Sequence, residues 1–532
     1  MEIFPWPHLK LLLSSMLIAV ALAVDPYSDA LLSFKSEVID HFHSLDDWLV
    51  RRGENRSGKV HACSWSGIKC DSNSTIVIGL DLSTKKLGGK LPGKQFGVFT
   101  ELVELNISQN AFSGEIPIEI FNLTGLRSLD ISRNNFSGHF PGGISGLQNL
   151  VVLDAFSNSF SGPLPVELSK LEFLKVLNLA GSYFDGPIPS AYGSFKRLEF
   201  LHLAGNSLSG NIPPELGNLQ TVTHMEIGYN SYEGDIPWQV GNMSELRYLD
   251  IAGANLSGSI PRQLSNLTKL QSLFLFRNQL TGLIPWEFSR ILPLTNLDLS
   301  DNMISGPIPE SFAELKNLRL LSLIFIGSIP PHICTGGELF KLILFSNKFT
   351  GNLSPLSNCS SLVRIRLEDN SFSGEIPLTL SHLPDVTYID FSGNRFTGGI
   401  PSDISQASKL QYFNVSNNPE LGGMVPEETW SLPLLQNFSA SSCNISGNLP
   451  PFRSCKSMLV VELQMNNMSG VVPKSISNCK SLEIINLASN QLIGHIPEEL
   501  ASLPALSVVD LSHNNFSGSI PVEFGNLQTY YF

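Results

Sequence analysis

The sequence predicts an α/β repeat solenoid, and three observations predict it. An asparagine-type position recurs at 86, 110, 134, 158, 182, 206, 230, 254, 278 and 302, then at 347, 370, 394, 418, 443, 466, 490 and 514, a step of 24 with small exceptions. Before each such position the chain alternates apolar and polar residues, as in Leu129-Asp130-Ile131-Ser132. That is the period of a short strand with one buried face. After each position comes a Phe-Ser-Gly-x-Ile-Pro type segment that turns the chain away from the strand. Units of this length cannot bury their apolar side alone, so they stack into one long core.

The elements follow in chain order. Residues 1–23 read as a secretory signal, with Lys10 ahead of the apolar run LLLSSMLIAVALA and a small-residue cleavage site at Ala21-Leu22-Ala23. The run is short for a membrane span, and the mature chain would begin near Val24. Residues 28–50 carry helical spacing at Leu31, Phe34, Val38, Phe42 and Leu45. CSWSGIKC follows, with Cys63 and Cys70 predicted to pair. Residues 76–532 hold about 18–19 coils, one of them damaged near 324–327.

Within a coil, Leu129 and Ile131 are expected to point inward, and Asp130 and Ser132 outward onto a concave parallel sheet. Asn134 and its equivalents stand where the chain leaves the strand. An amide there satisfies both N–H and C=O groups of the turning backbone. The series Phe112, Phe136, Phe160, Phe184, Phe349, Phe372, Phe396 and Phe516 falls two residues later and reads as a core spine.

The net charge of −13 argues against nucleic acid and anionic membranes as partners. Fifteen Asn-x-Ser/Thr sequons point to a glycosylated extracellular chain: Asn55, Asn73, Asn106, Asn122, Asn135, Asn242, Asn255, Asn266, Asn352, Asn358, Asn414, Asn437, Asn444, Asn467 and Asn515. Some arise because the repeat itself spells Asn-x-Ser. Among seven cysteines, Cys334 and Cys359 are 25 apart and Cys455 and Cys479 are 24 apart, one period in each case. Both pairs are expected to be bridged, which leaves Cys443 as a buried inert thiol on the asparagine position. No cofactor and no metal site is expected, and no nucleophile elbow, P-loop or HExxH motif is present.

Chemistry is therefore sought on the outward strand positions. Four residues before the asparagine position stand Asp154, His202, Glu226, Asp250, Phe274, Asp298 and Arg366; six before it stand Phe200, His224, Tyr248 and Arg364. Acidic, aromatic and basic groups follow one another, as suits an extended peptide with a free carboxylate at one end. In VRIRLEDN, Ile365 and Leu367 go inward, so Arg364 and Arg366 share one outward face and form a fork for a carboxylate. The plainer alternative is a solvated strand with Glu368 or Asp369 as the partner. Asn106, Asn414 and Asn437 are the sequons on strand positions, which leaves a glycan-free window from about 150 to 370.

GSYFDG at 181–186, HMEIGYN at 224–230, DAFSNSF at 154–160, KLILFSN at 341–347 and the RxR at 364–366 carry a resemblance over nearly the whole chain. The sequence resembles the ectodomains of plant leucine-rich repeat receptor kinases of the peptide-hormone (CLE) class, in the group of the tracheary element differentiation inhibitory factor receptor and its "more lateral growth" paralogue. The resemblance implies a right-handed superhelix with a second short sheet, and an N-terminal cap over 24–75. It implies that Arg364 and Arg366 hold a peptide carboxylate. Asp250, Asp298, Tyr229 and Phe274 would contact the middle of a secreted CLE-type dodecapeptide, and Gly181, Tyr183 and Phe184 its N-terminal part. It also implies a SERK-type co-receptor at the C-terminal coils and a place on the outer side of the plasma membrane. The chain itself is expected to be no enzyme. It shows no kinase signature, C-terminal cap or membrane span before Phe532, as in a fragment or a secreted ectodomain. The competing readings are a secreted inhibitor of a wall-degrading enzyme and a truncated decoy receptor. Positions 302 and 347 differ by 45, and the resemblance implies a loss of roughly two repeats after Leu323. That loss is expected to weaken binding of the natural peptide.

Overall fold

The computed structural model describes residues 24–50, 59–323, 326–377 and 382–526. The expected signal segment, Asn55 and residues 324–325 of the damaged coil lie outside them. The chain forms two compact units, one ending at Ser207 and one beginning at Leu208.

The first unit opens with the helix Pro26–Glu37. Asp25 caps it by accepting from Ser28 N at 2.9 Å, and Pro26 stands at the first helical position, where its missing N–H costs nothing. The helix is shorter than the apolar spacing over 28–50 suggests. Val38 is already extended, and Ile39 makes a β-bridge to Gly88. Asp40 then accepts from Ser44 N and Leu45 N, which turns the chain and leaves Phe42 63% exposed. Trp48 and Trp65 stack at 5.7 Å in the interior, and Cys63 is bonded to Cys70. The strand Ile68–Cys70 pairs antiparallel with the first coil strand, Val77–Asp81, and so covers the open end of the core.

From there parallel strands stack in register, Leu105 beside Leu129 beside Leu153 beside Leu177 beside Leu201. All five leucines are buried. Asn134 Oδ1 accepts from Phe112 N at 3.0 Å, while its Nδ2 donates to Ile107 O at 2.9 Å and Ile131 O at 3.2 Å. One amide thus joins two coils at each turn. Phe112, Phe136, Phe160 and Phe184 stack at 6.3, 6.4 and 6.0 Å, all fully buried. A second sheet forms from Gly88–Lys90, Ala111–Gly114, Asn135–His139, Ser159–Pro163 and Tyr183–Gly186. The far side of each coil is a five-residue 3-10 helix such as Val166–Lys170, not an α-helix. The Ile-Pro segment leaves too few residues for more than one turn.

The second unit repeats this plan. Its main sheet runs in register from His224–Glu226 through Arg364–Arg366 to Val508–Asp510. The shortened coil does not break it. Leu320 pairs with Lys341, 21 residues on, and Ile326–Gly327 pairs with Lys348 and Phe349 in a second sheet. Phe349, Phe372 and Phe396 stack at 5.7 and 6.4 Å.

Cys334–Cys359 and Cys455–Cys479 are bonded across adjacent coils, and Cys443 is free and buried. The Cys443 thiol contacts Val415 O at 3.0 Å and Ser441 O at 3.3 Å, where other coils have an asparagine amide. Burial pushes its pKa up to about 11. Native secreted protein at pH 8 is therefore expected to resist alkylation and to take up one thiol label only after denaturation without reductant. Labelling of the native state, or a Cys443-containing cross-link in non-reducing peptide maps, would show the thiol to be accessible or paired.

Candidate functional site

The face of interest is the outward side of the main sheet in the second unit. Two rows of side chains stand on it because register is kept from strand to strand. One row reads Tyr248, Ser272, Asn296, Leu320, Lys341, Arg364, Tyr388 and Tyr412. The other reads Glu226, Asp250, Phe274, Asp298, Ser322, Ile343, Arg366, Asp390 and Asn414.

The acidic end is built from Glu226, Asp250 and Asp298. Asp250 Oδ1 accepts from Ala252 N at 2.9 Å, and Asp298 Oδ1 accepts from Ser300 N and Oγ. Each keeps a second carboxylate oxygen for other use. Burial raises the pKa of Asp250, and the charges of Glu226 and Asp298 raise it further against the Ala252 hydrogen bond. Aromatic rings flank these carboxylates. Phe274 lies 5.5 Å from Tyr248 and 6.5 Å from Phe276 between ring centroids. Tyr229 is half exposed, edge-on to Phe276 at 6.4 Å, and held at positive φ by its N–H bond to Ala252 O. Tyr229, Phe274, Asp250 and Asp298 thus stand on successive coils of one unit, with Asp250 beside Phe274 and Phe274 beside Asp298. Phe276 joins them from the position two before the asparagine, a row beyond the two outward rows read from the sequence.

Next comes a hollow of about 530 Å³ lined by Phe276, Leu323, Ile343 and Phe345 with serines, and bordered by the ion pair of Arg277 and Asp301 at 3.7 Å. It sits where the shortened coil puts small and apolar residues between the acidic and basic ends.

The basic end holds Arg364 and Arg366 on one strand, both half-buried. Each guanidinium lies on an aromatic ring, Arg364 on Tyr388 at 4.1 Å and Arg366 on Phe345 at 4.2 Å. Tyr388 in turn stacks on Tyr412 at 4.2 Å. The Tyr412 hydroxyl donates to Asp390 Oδ2 at 3.3 Å. The two arginines are not equivalent. Arg366 donates Nε and Nη2 to Glu368 Oε1, so the plainer alternative partner does occupy it. Arg364 has no carboxylate partner among the described residues. Tyr388, Asp390 and Tyr412 were missed, although the same count back from the asparagine position finds them.

The three residues expected to receive the peptide N-terminal part lie in the first unit and are not alike. Tyr183 is 64% exposed on the second sheet. Gly181 adopts φ +66, and a Cβ there would stand 3.3 Å from the Phe156 ring. Phe184 is fully buried in the phenylalanine stack, so its assignment as a ligand contact is corrected. It keeps only its other predicted role, in the spine. Of the sequons, Asn106, Asn414 and Asn437 are half-buried on main-sheet strands. Asn122, Asn135, Asn242, Asn255, Asn266, Asn352, Asn358, Asn444, Asn467 and Asn515 are exposed. Among the described residues no helix is long and apolar enough to cross a membrane.

Comparison with known proteins gives this surface its context. The family described as leucine rich repeat N-terminal domain matches residues 28–71, and the leucine rich repeat family matches 91–160 and 457–516. The phytosulfokine receptor 1 of Arabidopsis thaliana is 42% identical over 84 residues, which are 16% of this chain and 8% of that protein. The chain thus spans under a tenth of the length of this curated relative in the match. The crystal structure of a TDR receptor is 43% identical, covers 89% of this chain and 91% of its own, and superposes with a TM-score of 0.65. The Arabidopsis receptor kinase HAESA, solved in complex with the peptide hormone IDA and the co-receptor SERK1, is 32% identical, covers 95% of this chain and 92% of its own, and gives a TM-score of 0.75. With identity at this level along nine-tenths of both chains, and the same coil architecture, the chain belongs to the plant leucine-rich repeat receptor-kinase ectodomains of the peptide-hormone receptor type.

Proposed function

We propose that the outward sheet face of the second unit binds a secreted CLE-type peptide in extended form, with its free C-terminal carboxylate at Arg364 and Arg366. The observation that carries this reading is the pair of ring-backed guanidiniums on one strand, at the end of a row that begins acidic and aromatic. Asp250 and Asp298 would accept hydrogen bonds from the preceding peptide segment, and Tyr229 and Phe274 would pack on it. Three strand steps separate Asp298 from Arg366, about 14 Å at ~4.8 Å per step. An extended peptide covers that distance in about four residues. The hollow between the two ends suits an apolar side chain of the ligand. In a longer protein carrying a membrane span and kinase, the occupied ectodomain would recruit a SERK-type co-receptor on the outer side of the plasma membrane and so switch on the kinase. The secretory signal and cap expected over residues 1–75 fit that location.

The test is calorimetry of the secreted protein with a synthetic CLE-type dodecapeptide as the free acid and as the C-terminal amide. The acid is expected to bind at least about tenfold more tightly, since the amide forfeits a charge-assisted bond. Equal affinity of acid and amide would remove the arginine pair from recognition.

A further inference from the structure

Glu368 stands two residues before Asn370, a position filled by serine in the two following coils, Ser392 and Ser416. It is 8% exposed, and its Oε1 takes both Nε and Nη2 of Arg366. Its Oε2 is buried and takes no hydrogen bond from another residue among the described ones. A buried carboxylate with one oxygen unmatched is costly to keep, so the pair is not explained by stability alone. Phe345 covers one face of the same guanidinium at 4.2 Å. Ser346 N donates to Glu368 O at 2.8 Å and fixes the backbone from the turn of the preceding coil.

We propose that Glu368 is a specificity-determining stand-in for the ligand carboxylate: it holds Arg366 in the empty groove, and only a ligand ending in a carboxylate can take its place. The inference rests on the proposed role of the arginine pair and adds which arginine acts first. Arg364, with no carboxylate partner, meets the incoming carboxylate. Arg366 joins only when it exchanges Glu368 for the ligand. A neutral C-terminus cannot drive that exchange, because it offers the Arg366 guanidinium no charge in place of the one on Glu368.

Charge around Glu368 agrees with the geometry. Arg366 attracts it from its own strand, Asp390 repels it from the next, and Arg364, Lys341 and Asp369 are the other charged groups on the adjoining positions. Burial raises its pKa above the usual carboxylate range, Arg366 opposes the shift and Asp390 adds to it. Lowering the pH therefore neutralises Glu368 before it neutralises a peptide C-terminus, whose pKa is about 3.3. Affinity for a free-acid peptide is expected to rise as pH falls.

The experiment uses the full secreted chain, the synthetic dodecapeptide acid and its amide, and the variants Glu368→Gln and Arg364→Ala. Glu368→Gln is expected to bind the acid about tenfold more tightly than wild type at pH 7.5, with a narrowed acid/amide ratio and a flattened dependence between pH 5 and 7.5. An unchanged affinity and pH profile in Glu368→Gln, with acid still preferred and Arg364→Ala still defective, would overturn the stand-in and leave the carboxylate reading intact. Loss of acid preference in wild type would overturn both. A readout without ligand guards against a silent groove. A carboxyl whose folded pKa is raised favours the folded state more as pH falls through that value, so Glu368→Gln is expected to melt higher than wild type at pH 7.5, by a margin that shrinks as the pH is lowered. A lower melting point for Glu368→Gln at pH 7.5 would show the ion pair to be a stabilising contact and nothing more.

Discussion

Changing Arg364 and Arg366 together to alanine is expected to abolish measurable binding of a free-acid CLE-type peptide, a loss of at least about a hundredfold. Charge-assisted hydrogen bonds are worth roughly 1.5–3 kcal/mol each, and the double change removes one or more from each arginine. Half-burial on Tyr388 and Phe345 limits solvent screening, so the figure belongs nearer the middle of that range than at its floor. The single changes are expected to differ. Arg364→Ala removes the group with no carboxylate partner and uncovers the Tyr388–Tyr412 stack. Arg366→Ala also strands Glu368 in a buried site, so part of its cost falls on folding. Carrying Glu368→Gln alongside the double change separates these effects, since it removes the stranded charge but restores no ligand contact. Lysine at both positions keeps the charge and loses the fork, and an intermediate affinity is expected. Calorimetry at pH 6 with melting curves for each variant checks the series. Wild-type affinity in a folded double mutant would remove both arginines from recognition.

Much of this could be read from the sequence because a repeat states its own register. The 24-residue step places the buried strand leucines of the coils, such as Leu129, Leu153 and Leu177, and the asparagine position fixes which strand residues face outward. The same count put Arg364 and Arg366 on one face without knowledge of the fold's three-dimensional path. What the step could not supply was contact between rows. Phe345 and Glu368 both lie two before the asparagine, where most coils carry serine, alanine or glycine; the sequence leaves Glu368 and Asp369 as alternative partners, and the built sheet selects Glu368 and adds Phe345 across the Arg366 guanidinium. The cap helix was overdrawn for a related reason. Spacing at Val38, Phe42 and Leu45 mimics a helix, but the bridge from Ile39 to Gly88 and the Asp40 turn are long-range or local bonds that outweigh periodicity. For Phe184 the spacing predicts a place in the spine while the resemblance implies a ligand contact; alternation along the strand decides between them, with Tyr183 exposed and Phe184 in the stack. The shortened coil after Leu323 reads as a break in the pattern, yet the sheet absorbs it in register, since a coil can lose its asparagine turn while its strand still pairs.

Phe372→Ala is expected to produce the largest loss of stability among single changes near the groove. Phe372 is fully buried between Phe349 at 5.7 Å and Phe396 at 6.4 Å, and its N–H donates to Asn394 Oδ1 at 3.0 Å. Truncating a buried phenylalanine costs about 3–5 kcal/mol, through lost transfer energy and the cavity left behind. Here the loss falls on two ring contacts at once, each beyond simple area burial. A solenoid spreads such damage only to neighbours, because each coil is held chiefly by the coils on either side. Hydrogen exchange is therefore expected to quicken over about residues 341–414, where the Arg364–Arg366 strand lies, with little change near the cap. Peptide binding is expected to weaken with it, because the two guanidiniums lose the rigid strand that aims them. Phe372→Leu is expected to lose clearly less, since leucine fills most of the volume but stacks on neither ring. Tyr183→Ala, exposed on the second sheet, is expected to stay within about 0.5 kcal/mol of wild type. If Phe372→Ala instead melts with wild type, or quickens exchange evenly along the whole chain, the phenylalanine stack is not the local brace that the geometry describes.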